Sequence, residues 1–231
     1  MRTPPLVAVA HGSRDPAAAA ATEALVAEVR RQRPGLEVLG CYLDHTQPRL
    51  AEILVSATDA VVVPLLLGAA YHSRVDIPAA IADAGSTAVQ ADVLGPDSLL
   101  LTALERRLGE AGVPIGDPDT AVVLAAAGST DASAADGVRG LARDWAAARG
   151  WSAVVAAFAS AARPTVEEAV EDLRSRGARG VAVSSYLLFP GLFSQRMADA
   201  GADVASAVLG DAPEVARLVL ARYDARRGDL R

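Results

Sequence analysis

The chain opens on an apolar run, residues 6–10, that stops abruptly at His11-Gly12-Ser13-Arg14-Asp15-Pro16. A short unbroken apolar run bounded by turn residues predicts a strand buried on both faces, as in a parallel sheet. Asp15 is a good N-cap, and Pro16 suits the first helical position, where its missing N–H costs nothing. The following helix, 17–32, sets Leu25, Val26 and Val29 on one side and stops at Pro34-Gly35. The pattern then repeats: a strand over 36–43, a polar turn at 44–48, and a helix over 49–57. A nearly all-apolar strand over 60–67 comes next, then a turn over 68–74 and a helix starting near 75–78. A fourth strand over 87–94 and a helix over 97–111 complete the series. Strands alternating with helices predict a parallel sheet with right-handed crossovers. His11, His45 and His72 fall after strands one, two and three, and the chain has no other histidine. That is the sheet edge on which open α/β folds carry their ligands.

Residues 113–119 read as a linker, and the remainder of the chain repeats the first half. A strand over 121–127 runs into Gly128-Ser129-Thr130-Asp131, matching Gly12-Ser13-Arg14-Asp15 at an offset of 116 (128 − 12). Pro164 answers Pro48, Val208-Leu209-Gly210 answers Val93-Leu94-Gly95, and each half closes with a helix, 99–108 and 215–223. The expected fold is therefore α/β, with two tandem similar domains, 1–112 and 120–231. Each is a four-stranded parallel sheet flanked by helices.

Composition narrows the function. With 52% hydrophobic residues the chain can bury a full core, and 4% aromatics leave little for base stacking. The net charge of −6 argues against a nucleic-acid partner. The densest basic cluster, Arg30-Arg31-Gln32-Arg33, sits where a helix ends and complements its dipole. Cys41 is alone, so neither a disulfide framework nor a cysteine-based zinc site is available within one chain. No apolar run reaches the ~18 residues that span a bilayer, and the N-terminus lacks a signal pattern, so a cytoplasmic protein without a membrane partner is expected.

The duplication supplies an internal control. Gly12, Ser13 and Asp15 recur in the second half and serve the turn and the cap. The histidines do not recur: His11 aligns with Ala127, His45 with Ala161 and His72 with Phe193. Imidazoles needed only for packing would have left a trace in the second copy. Two neutral imidazoles make a partial shell for a first-row metal and leave coordination positions open. Arg14, Arg49 and Arg74 stand beside the three histidine turns, with Arg163 and Arg196 as candidates from the second copy. Together they suit a polycarboxylate. Asp44 is placed to orient an imidazole, and Tyr71, Leu192 and Phe193 to wall a flat ligand.

Ala10-His11-Gly12-Ser13-Arg14-Asp15, the turn over 44–48, Pro64-Leu65-Leu66-Leu67 before His72, and Asp76-Ile77-Pro78 together resemble the class II chelatases, most closely the sirohydrochlorin chelatase group. The resemblance covers nearly the whole chain. It implies two similar domains around a cleft and insertion of Fe²⁺ or Co²⁺ into sirohydrochlorin toward sirohaem or cobalamin; a bis-imidazole site accepts Ni²⁺ as well. Metal and tetrapyrrole are then substrates, and no tightly bound cofactor is expected. The family's two active-site histidines map onto His11 and His72, and its acidic residue onto Asp44; His45 has no counterpart in that pattern. Ser13, Arg14, Asp44, His45, Tyr71, Ser73 and Arg74 are the expected substrate contacts, on a monomer or homodimer. Two other readings remain open on sequence alone: a non-catalytic metal or tetrapyrrole carrier, and a histidine phosphohydrolase, which would carry Arg where this chain has Ala10.

Overall fold

The computed structural model describes residues 3–68 and 72–229, His72 by its backbone alone. In the first half, strands β1 (Leu6–Ala10), β2 (Val38–Tyr42), β3 (Val61–Pro64) and β4 (Val89–Gln90) alternate with helices α1 (Pro16–Gln32), α2 (Leu50–Ser56) and α3 (Ile77–Asp83). Helix α4 (Ser98–Glu110) comes after them. The second half repeats the series with β5 (Thr120–Ala126), α5 (Ala132–Ala148), β6 (Ala153–Phe158), α6 (Val166–Ser175), β7 (Gly180–Tyr186), α7 (Leu192–Ala198), β8 (Val204–Ala205) and α8 (Pro213–Arg226). The two sheets are parallel and identically ordered, β2-β1-β3-β4 and β6-β5-β7-β8.

This order has a functional consequence. The chain leaves β1 toward β2 on one side and returns to β3 on the other, so the strand order reverses between β1 and β3. The crevice outside their carboxyl ends is the switch point at which such sheets bind ligands. His11 follows β1, and the turn opened by His72 follows β3. Every residue of β1 and of β3 is buried, which is why both read as unbroken apolar runs. Asp15 caps α1 by accepting from the Ala17 N–H (2.9 Å), with Pro16 at the first helical position. Val7, Val9, Cys41, Leu50, Leu54, Val62 and Ile77 form the core on one face of the sheet. Cys41 is inert there, its thiol pushed up to about 12 by burial.

The fourth strand is shorter than its apolar run suggests. Regular pairing covers Val89–Gln90 rather than 87–94. Its one neighbour among the described residues, β3, ends at Pro64, so the ladder has little to pair with. The chain nonetheless stays alongside through Ala91 N–H to Val62 O and Leu94 N–H to Leu66 O, both 2.8 Å.

The compact units are not cut where the sequence repeats. One unit holds the described residues up to Asp97 together with those from Gly210; the other holds Ser98–Leu209. The last helix of each repeat thus belongs to the unit built on the other repeat's sheet. Helix α8 packs on α1 and β3, burying Val215, Ala216, Leu218, Val219, Leu220 and Tyr223. The Tyr223 hydroxyl donates to Pro4 O (2.6 Å), and Arg33 forms a two-pronged pair with Asp224, 2.7 Å on each arm. Arg222 of α8 donates to Val93 O and Leu94 O (both 2.9 Å). In the second unit Arg107 of α4 does the same to Leu209 O (3.0 Å), the equivalent carbonyl.

Candidate functional site

The first element of the site is a contact between two loops. Gly12 has φ +94, and a Cβ built there would lie 1.7 Å from the Asp44 carbonyl oxygen. Only glycine lets the β1–α1 and β2–α2 loops approach this closely. Asp44 N–H donates to His11 O (2.8 Å). Thr46 Oγ1 donates to Ser13 O (3.0 Å) and accepts from Ser13 N–H (3.3 Å). The two loops are stitched together across the mouth of β1.

This contact brings His11 and His45 side by side. Their ring centroids are 6.2 Å apart with the planes nearly perpendicular, and both residues are exposed to solvent. His45 adopts φ +60, and Ala161, its counterpart, has φ +57, so the loop itself imposes this backbone. Asp44 Oδ1 accepts from the His45 N–H (2.8 Å), and Oδ2 lies 3.5 Å from His45 Nε2. The Arg49 guanidinium donates to Asp44 Oδ1 (2.9 Å) and to Leu43 O (2.8 Å). Arg49 foremost, then the His45 N–H, holds the Asp44 carboxyl below the usual aspartate range.

Arg49, a candidate cation for substrate carboxylates, pairs with Asp44 within its own loop. The second copy shows what it displaces: Thr165 and Glu168 there form a reciprocal capping box at the start of α6. In the first copy Glu52 still accepts from the Arg49 N–H (2.9 Å), but an arginine has no acceptor with which to return the bond. Half a helix cap has been given up for a cation on Asp44. The matching sequence signal was a Glu three residues on in both halves, preceded by Thr in one and Arg in the other.

After β3 the chain enters a π-helical turn, His72–Asp76, that runs directly into α3. Such turns are rare and often mark functional positions. Gln90 on β4 fastens it, its side-chain amide donating to Ser73 O (2.8 Å). The apolar pattern did not single out Gln90. Its signal was a polar side chain in an apolar stretch where the second copy has Ala205. Ser73 is buried, and its carbonyl holds the turn to β4. Arg14 and Arg74 are exposed at the expected loops, whereas the Ser13 hydroxyl accepts from the Asp15 N–H (3.0 Å), a turn role that Ser129 repeats. Tyr71 and the side chain of His72 lie outside the described residues. Among the described residues no three of His, Cys, Asp and Glu are arranged to hold a metal ion.

The sheet register aligns the two halves independently of sequence. Leu6 pairs with Val38 and Val61, and Val122 pairs with Val154 and Ala182. Carried forward from β1 and β2, this sets His11 opposite Ala127 and His45 opposite Ala161; Phe193 lies in α7, where it packs against the core of its own unit, and Leu192 beside it is exposed. The second copy keeps the loops that follow its first two strands and has no imidazole on them.

A protein-family model, CbiX, matches the chain twice, over residues 5–111 and 121–226. The chain belongs to the CbiX family. Both copies of the repeat are thus CbiX units, and the fold is that of the class II chelatases. Among curated relatives this CbiX-family chain is 29% identical over 202 residues to a sirohydrochlorin cobaltochelatase of Priestia megaterium, and 28% identical over 197 residues to a sirohydrochlorin ferrochelatase of the same organism. Those alignments cover 82% and 80% of this chain but 65% and 73% of the relatives. The chain therefore spans just under two thirds of the cobaltochelatase. SirB from Bacillus subtilis, solved with Fe³⁺, superposes with a TM-score of 0.79 at 25% identity, covering 96% of this chain and 94% of that one. No helix among the described residues is long and apolar enough to cross a membrane.

Proposed function

We propose that this chain inserts Fe²⁺ or Co²⁺ into sirohydrochlorin, toward sirohaem or cobalamin, with metal and tetrapyrrole as substrates and no cofactor held tightly. The observation that carries this reading is an exposed imidazole, His11, at the carboxyl end of β1, beside the β1/β3 switch point of a twice-repeated chelatase fold. Its support from relatives is double: a cobaltochelatase and a ferrochelatase match almost equally.

Metal insertion replaces water on the metal with ring nitrogens and removes two pyrrole protons. In this reading His11 and His72 hold the incoming ion, leaving positions open for the macrocycle, as two ligands do and four would not. The imidazoles that release the ion are then free to take up protons leaving the ring. Asp44, fixed by Arg49, sets the β2–α2 loop against His11. Arg14 and Arg74 supply cations for the carboxylates of the substrate.

The test is direct. Purified protein mixed with sirohydrochlorin and Fe²⁺ or Co²⁺ accelerates the spectral change of metalation over a no-enzyme control. His11→Ala and His72→Ala abolish that acceleration while tetrapyrrole binding, followed by fluorescence, persists. Stoichiometric capture of the tetrapyrrole with no acceleration by the wild type refutes the proposal and leaves a carrier.

A further inference from the structure

We infer that His45 is a third metal-contacting imidazole, which shares the incoming ion with His11 before the tetrapyrrole takes it. The inference rests on the chelatase reading for its purpose, but its own support is local geometry. Metal–imidazole bonds of about 2.0–2.1 Å put two ring centroids on one ion roughly 4.5–6.4 Å apart, from adjacent to opposite positions. The observed 6.2 Å lies inside that span. The perpendicular planes are no obstacle, because each bound ring turns freely about its own metal–nitrogen axis.

Asp44 completes the arrangement. Its Oδ2 lies 3.5 Å from His45 Nε2. At 3.5 Å the carboxylate stands beside this nitrogen without a formed hydrogen bond, so Nδ1 is the donor assigned to the metal and Asp44 sits where metal-bound histidines carry their outer support. Arg49 fixes Asp44 in turn. Neither the backbone nor the packing explains the histidine itself. Ala161 holds the same left-handed conformation without a side chain to favour it, and His45 is exposed. The second copy also has Thr165 in place of Arg49 and Ser160 in place of Asp44, so imidazole, carboxylate and guanidinium are absent there together. Capture by His11 and His45 on paired loops, followed by transfer to the ring, gives the β2–α2 loop a role as the entry side of the site.

The test uses Co²⁺ alone with the full chain, followed by its visible ligand-field bands and by calorimetry, without tetrapyrrole. His45→Ala is a safe variant because Ala161 already occupies that conformation. Its Co²⁺ affinity falls about tenfold or more, with altered bands. The double variant with His11→Ala loses less than the product of the single losses, since both rings serve one ion. Unchanged affinity in His45→Ala overturns the inference, as does weaker binding with unchanged bands. Metal insertion measured on the same samples separates the two readings. A wild type that binds Co²⁺ through His45 but never metalates sirohydrochlorin sinks the chelatase reading alone. A His45→Ala protein with wild-type Co²⁺ binding and turnover sinks this one alone.

Discussion

Gly12→Ala is the most informative single perturbation, because the protein carries its own control. The added methyl would meet the Asp44 carbonyl oxygen at 1.7 Å. Restoring ordinary contact requires the two loops to part by more than about 1 Å. Three losses combine: an L-residue held at positive φ costs roughly 1–2 kcal/mol; the broken Asp44 N–H to His11 O bond, 2.8 Å here, costs about 1 kcal/mol; and the Thr46–Ser13 bonds stretch with it. We expect destabilisation of about 2–4 kcal/mol, or roughly 5–15 °C in melting temperature for a chain of this size. Gly128→Ala meets the same obstacle, with a Cβ 1.8 Å from Ser160 O and φ +91. Its melting temperature falls by a similar amount. The two variants part company in catalysis. Displacing His11 by an ångström costs metal insertion up to about 10²-fold beyond any loss of folded protein. Gly128→Ala, on loops without imidazole, loses far less. The assay is thermal melting by circular dichroism beside turnover per folded molecule. Equal catalytic losses in the two variants, or a Gly12→Ala protein as stable as wild type, refute the reasoning.

Three other contacts can each be tested by one substitution. Gln90→Leu removes the donor from Ser73 O together with a buried amide oxygen that lacks a partner, so stability changes by no more than about 1 kcal/mol; kcat for metal insertion falls with KM for sirohydrochlorin little changed. Arg49→Thr restores the capping box seen at Thr165 and raises stability by about 0.5–1 kcal/mol. It also releases Asp44, whose carboxyl then titrates at higher pH than in the wild type, as carbon-13 NMR of the side chain reports. Asp224→Asn breaks the Arg33 pair that ties α8 to α1. The pairing depresses the Asp224 carboxyl, so its contribution is present above the ordinary aspartate value and fades as pH falls through the depressed one. Being partly exposed, the pair is worth under about 1 kcal/mol, and urea melts show a deficit at pH 7 that disappears in acid.

Much of the molecule was legible because two periodicities coincide in it. Buried parallel strands announce themselves as apolar runs, and β1, β3 and β5 did so. Asp15 and Asp131 marked the starts of their helices. The internal repeat placed His11, His45 and His72 against Ala127, Ala161 and Phe193, and the sheet register makes the same pairing for the first two. What stayed hidden is what depends on contacts across the fold. Arg49 read as a free cation because nothing local says that Asp44 turns back onto it. Gln90 read as one more residue of a fourth strand, since its partner, Ser73 O, lies on a turn 17 residues away. The closing helices were expected over 99–108 and 215–223, near α4 and α8, but nothing in either stretch named the sheet that would cover it.

That trade of closing helices limits how the chain can be taken apart. Severing it at the linker would not liberate two self-sufficient domains: each piece would keep a sheet lacking its last cover and a helix with nowhere of its own to lie. The polypeptide crosses between units twice, at Asp97 and at Leu209, so either half matures only once the other is present. A half-length molecule built this way would have to take its final helix from a second copy, whereas here the other repeat of the same chain supplies it.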